Sequence, residues 1–108
     1  MEKKILVVDN EQRIVDLLYK LLSKEGFTVF TTTDGEGCLK LAKKEVPDLI
    51  VLDVVMPGMD GGTVVRILGE NEKTKSIPVV FLTGAVTDKE LIESGGWVAN
   101  RLFISKSS

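Results

Sequence analysis

Histidine is absent from this chain, and cysteine, tryptophan and tyrosine occur once each. Without an imidazole there is no Ser-His or Cys-His nucleophile, no HExxH zinc site and no histidine base. The single Cys38 closes no internal bridge, so the fold does not rest on disulfides. Apolar runs are short: Ile5 to Val8 and Leu49 to Leu52 fall far below the ~18 to 20 residues that span a bilayer. The first run is also too short for a signal-peptide core. No excess of positive charge exists, since 14 Lys and Arg face 16 Asp and Glu for a net charge of −2, which leaves no electrostatic footprint for nucleic acid. These absences point to a cytoplasmic protein with no direct nucleic-acid or membrane partner. Its chemistry belongs to carboxylates, amides, hydroxyls and lysines.

What is present suffices for one domain over residues 1–108, because Leu, Ile, Val and Phe make up 38 of the 108 residues, well above the ~20% below which disorder sets in. A chain of this size hides roughly 65% of its unfolded surface without staples. Apolar periodicity alternates between strand-like and helix-like forms. Ile5-Leu6-Val7-Val8 is a β-branched run suited to a strand buried on both faces. Ile14, Val15, Leu17, Leu18, Leu21 and Leu22 follow at helical spacing, with Gly26 where a C-cap belongs. Phe27 to Thr32 reads as a strand near a sheet edge, because threonines dilute it. Cys38 to Val46 reads as a helix stopped by Pro47. Asp48 to Asp53 is a third strand, Val64 to Leu68 a short helix, and Pro78 to Thr83 a fourth strand. Thr87 and Glu90 form a capping box for a helix over about Asp88 to Ser94, and Leu102 to Ile104 is a last strand.

That alternation predicts an α/β doubly wound fold with a five-stranded parallel sheet and helices on both faces. A fifth helix is missing from the pattern. Stopping at Ser108 would leave one sheet face partly bare, so the expectation is a chain truncated before its last helix, or a partner or homodimer that covers the gap.

In open parallel sheets the functional crevice lies beyond the carboxyl ends of the strands. Asp9-Asn10, Asp53, Thr83 and Lys106 all fall at that edge. Asp9, Asn10 and Asp53 offer hard oxygen donors of the kind that suits Mg²⁺. With the metal and Lys106 neutralising charge, an Asp53 oxygen could attack a phosphoryl group, and Thr83 could donate to a phosphoryl oxygen.

Those residues carry a family resemblance. Ile5 to Asp9, then Asp48 to Asp53 followed by Met56-Pro57-Gly58-Met59-Asp60-Gly61, then Leu82-Thr83-Gly84 and Lys106, resemble in order the signatures of a bacterial response regulator receiver domain. The stretch from Asp48 to Gly61 is the most specific. The resemblance implies strand order 2-1-3-4-5 and a self-catalysed, Mg²⁺-dependent transfer onto Asp53 from the phosphohistidine of a histidine kinase or phosphotransfer protein. No turnover of an external substrate is implied. It also implies Asp9, Asn10, Asp53 and the Val55 backbone carbonyl as the metal site, Thr83 and Phe103 as a hydroxyl and aromatic switch pair, and a C-terminal or separate output domain. Reversing a two-state population from 1:99 to 99:1 needs about 5.5 kcal/mol. Two hydrogen bonds to a charged group, at roughly 1.5 to 3 kcal/mol each, approach that figure.

Two positions depart from the family pattern. Asn10 stands where a second acid is usual, which predicts Mg²⁺ affinity weakened by at least ~10 to 100-fold. Ser107 replaces a proline in a cis bond, and a non-proline cis bond costs about 2.5 to 4 kcal/mol, so Lys106 is expected to be less firmly aimed. Plainer readings stand beside these. Asn10 can be the first helix's N-cap, Asp60-Gly61 turn chemistry, Cys38 a small buried residue, Lys106 a solvated charge and Trp97 packing or a partner contact. The departures also admit a degenerate receiver, a binding module that no longer needs phosphate. A phosphohydrolase of the haloacid dehalogenase kind fits less well, because Asp9-Asn10-Glu11 lacks its Asp-x-Asp pattern. A flavin site lacks a phosphate loop after the first strand.

Overall fold

The computed structural model describes residues 2–54, 56–83, 97–98 and 101–105, with Thr83 and the last two stretches described by backbone alone. In chain order the elements are β1 (Lys4–Val8), α1 (Gln12–Lys24), β2 (Thr28–Thr32), α2 (Gly35–Glu45), β3 (Leu49–Asp53), α3 (Gly61–Gly69), β4 (Val79–Thr83), β5 (Trp97–Val98) and β6 (Arg101–Ser105). They form one sheet in the order β2-β1-β3-β4-β6-β5. Five strands run parallel, and their order is the expected one, with β6 as the fifth. Two-residue β5 adds an antiparallel edge to β6, a sixth strand that periodicity did not predict.

The central strands β1 and β3 read as apolar runs because both their faces are covered. Side chains alternate across the sheet with period two. Leu6, Val8, Ile50, Leu52 and Phe81 therefore pack on one side with Cys38 and Ala42 of α2 and Val64 and Leu68 of α3. Ile5, Val7, Val51 and Leu82 face the other side, where Ile14, Leu18 and Leu22 of α1 cover them. β2 lies at the sheet edge, as its threonines predicted, and none of its residues is fully buried.

Helix ends show where local chemistry overrides periodicity. α2 begins at Gly35, three residues before the expected Cys38, because the Asp34 carboxylate accepts a hydrogen bond from the Gly37 amide at 2.6 Å. The same helix ends at Glu45, and Val46, expected inside it, turns left-handed with φ 45°. α3 starts on Asp60, whose carboxylate accepts from the Thr63 amide at 2.8 Å. Gly26, with φ +97°, takes the left-handed turn after α1. The expected Asp88 to Ser94 helix, its capping box, Gly84, Val55 and Lys106 lie outside the described residues.

Candidate functional site

Register places the acidic pair. Val8 of β1 pairs with Leu52 of β3, so the residues that follow them, Asp9 and Asp53, stand at the next register position on neighbouring strands. Such neighbours lie about 5 Å apart. Alternation puts both on the α1 side of the sheet, in line with Val7 and Val51. Both are buried, Asp9 with 0% and Asp53 with 2% of their surface exposed. Strands β1 and β3 are also where the winding of the sheet reverses, the point at which such sheets open a crevice.

Each acid is held by its backbone. The Asp9 amide donates to the Thr32 carbonyl at 3.3 Å, extending the β1–β2 ladder by one residue. Its Oδ1 accepts from the Glu11 amide at 2.8 Å. That bond replaces the N-cap considered for Asn10: the N-cap of α1 is Glu11, which makes no side-chain cap bond, and Asn10 is an exposed bend residue beside the pair. Asp53 pairs with Leu82, and the Val54 amide donates to the Leu82 carbonyl at 3.1 Å. Thr83 is thus one position past the partner of Asp53, and it pairs with Ser105, the residue before Lys106. Phe103 pairs with Phe81 further back along β4. Backbone pairing therefore gathers Asp9, Asn10, Asp53 and Thr83 at one sheet edge, whereas Phe103 sits two positions short of Ser105.

The loop after β3 closes on itself. The Gly61 amide donates to the Val54 carbonyl at 2.8 Å, and Gly58 takes φ +84° so that the Met59 amide reaches the Pro57 carbonyl at 3.1 Å. Hydrogen bonding from Thr63 holds the Asp60 carboxyl below its ordinary value. Sequence reasoning passed over Asp34 and Gly35; an aspartate two residues after a strand and three before a glycine amide was the available signal.

Among the described residues no group of three or more His, Cys, Asp or Glu side chains is placed to hold a metal ion. Among the described residues, the buried acids at the edge are Asp9 and Asp53. Two buried carboxylates on adjacent strands, with an amide side chain next in sequence, still fit Mg²⁺, which takes one or two carboxylates and keeps several waters.

A family profile described as the response regulator receiver domain matches residues 5–108. The chain belongs to this family. Over 83 residues, 77% of the chain, it is 47% identical to the response regulator PleD of Caulobacter vibrioides and covers 18% of that protein. Over an equal stretch it is 48% identical to the alkaline phosphatase synthesis transcriptional regulatory protein PhoP of Bacillus subtilis, covering 34% of it. The receiver thus spans about a fifth to a third of the length of these relatives. Among solved structures, the chemotaxis protein CheY4 of Vibrio cholerae aligns over the whole chain and 89% of its own, with TM-score 0.84 and 28% identity. The signal receiver domain of a histidine kinase from Syntrophus aciditrophicus aligns over 98% of the chain and 80% of its own, with TM-score 0.78 and 28% identity. Family membership makes the receiver part of two-component signalling. No helix among the described residues is long and apolar enough to cross a membrane.

Proposed function

We propose that this receiver accepts a phosphoryl group on Asp53 from the phosphohistidine of a histidine kinase or phosphotransfer protein, in the cytoplasm, and relays its state to an output surface. The supporting observation is the burial of Asp53 beside Asp9 at the carboxyl ends of β1 and β3. Asp9 and Asp53, with the Asn10 amide and the Val55 carbonyl, would hold Mg²⁺, which supplies neutralisation of the charge that gathers as acceptor and phosphoryl oxygens meet. An Asp53 carboxylate oxygen attacks phosphorus in line, the P–N bond to the donor imidazole breaks, and the nitrogen keeps the bonding pair and takes a proton. Asp9, fixed by the Glu11 amide, keeps its carboxylate turned to the same edge. Thr83, at the end of β4, donates to a phosphoryl oxygen, Lys106 pairs with another, and Phe103 on β6 follows the threonine. The product is an acyl phosphate on the domain itself, so no external substrate turns over.

Asn10 favours a second reading, a phosphate-independent binding module, because it puts an amide where the family usually has a second acid beside Asp9. Intact mass separates the two: the chain incubated with acetyl phosphate and Mg²⁺ gains one phosphoryl group, and Asp53→Asn does not. A wild-type chain that gains none belongs to the binding module.

A further inference from the structure

We propose that Gly61 is a positioning residue for phosphoryl acceptance: the side chain it lacks lets the start of α3 press on the backbone of Asp53 and so sets the aim of that carboxylate. The inference rests on Asp53 being the acceptor. Turn geometry explains Gly58, whose φ of +84° suits glycine, but it does not explain Gly61, which is the first residue of α3 and is not left-handed. Close approach does. A Cβ at position 61 would stand 2.8 Å from the Asp53 carbonyl oxygen, 2.9 Å from the Val54 Cα and 3.1 Å from Phe81 Cε1.

The two nearest atoms are backbone, so no rotamer relieves them. The Gly61 amide also donates to the Val54 carbonyl at 2.8 Å, closing the loop that carries residues 54–60. A methyl group at residue 61 cannot coexist with that bond and with the present Asp53 backbone; one of them moves by several tenths of an ångström. Catalytic groups tolerate only about 0.5 Å of displacement. A misplacement near 1 Å costs on the order of 100-fold in rate. Gly62 supplies the contrast, since a Cβ there meets nothing closer than Asp60 Oδ1 at 3.5 Å, an ordinary contact.

The test compares Gly61→Ala with Gly62→Ala in the full chain. Three quantities are measured: the rate of phosphoryl uptake from acetyl phosphate at saturating Mg²⁺, corrected for folded fraction; the melting temperature; and the amide chemical shifts of Asp53 and Val54 in metal-free protein. Gly61→Ala is expected to slow uptake roughly 10- to 100-fold and to shift both amides. Gly62→Ala stays within about twofold of wild type with those amides unmoved. Should Gly61→Ala not fold alone, trimethylamine N-oxide, which favours the compact state, raises the folded fraction without altering the approach to Asp53, so uptake stays slow in the osmolyte while wild type and Gly62→Ala keep theirs. Wild-type uptake in folded Gly61→Ala, with or without the osmolyte, overturns the proposal. Failure to fold even in the osmolyte also overturns it, because Gly61 would then serve stability rather than aim. An unreactive wild-type chain overturns the acceptor reading itself.

Discussion

Placing two carboxylates at adjacent register positions inside the protein has an energetic cost that a single isosteric substitution exposes. Asp9 and Asp53 are buried at the ends of neighbouring strands, whose backbones run about 5 Å apart. Two carboxylate charges held at that spacing would repel by about 3 kcal/mol at an effective dielectric near 20. Burial shields the pair from salt, so the repulsion persists at ordinary ionic strength. Asp53→Asn keeps shape and volume and removes one charge. In metal-free buffer it should raise the unfolding free energy by about 1 to 3 kcal/mol, or roughly 4 to 12 °C in melting temperature for a domain of this size. Asp9→Asn also relieves the repulsion, but it turns the charged acceptor of the 2.8 Å Glu11 amide bond into a neutral one. Its gain should therefore be smaller by about 1 kcal/mol. Thermal unfolding by circular dichroism in EDTA reads all three proteins, and Mg²⁺ added at about 100 times its Kd should stabilise the wild type alone, by about 2.7 kcal/mol. If Asp53→Asn melts at or below the wild type without metal, the two carboxylates do not share one site as described.

Other outcomes follow from the same geometry. Asn10→Asp restores a third acid beside the pair and should tighten Mg²⁺ at least ~10-fold by calorimetric titration, equal affinities contradicting a metal role for that position. Asp34→Ala removes the acceptor of the 2.6 Å Gly37 amide bond and should cost about 1 kcal/mol of stability in urea unfolding, with α2 shortened toward Cys38. Burial pushes the Cys38 thiol up to about 12 from 9.0, so it should react with a disulfide reagent at pH 8 only in denaturant. Because the folded value is the raised one, the Cys38 contribution to stability should hold below pH 9 and be lost as pH climbs through the window toward 12, so Cys38→Ala should lose less stability across that window than the wild type.

The parallel core was legible because strands inside a parallel sheet are written as unbroken apolar runs: Ile5 to Val8, Leu49 to Leu52 and Val79 to Leu82 all appear as strands. The sheet edge that gathers Asp9, Asn10, Asp53 and Thr83 was legible for a topological reason, since parallel strands deliver their carboxyl ends to one side. What escaped was local. Gly35 and Gly37 are poor helix formers, and the Asp34 cap lets the helix start on them. Two-residue β5 is shorter than any period that could announce it. Asn10 read as a cap because its residue type favours one, while the bond that orders the start of α1 comes from Asp9. Gly61 looked like a turn glycine because sequence shows residue type, not the nearness of the Asp53 carbonyl.

The central claim places a phosphoryl group on one carboxylate. After treatment with acetyl phosphate and Mg²⁺, borohydride reduces an acyl phosphate on aspartate to homoserine, and peptide mass spectrometry reads where. The account predicts homoserine at position 53 and at no other aspartate. Conversion at Asp9 or Asp60, or none anywhere, would contradict it.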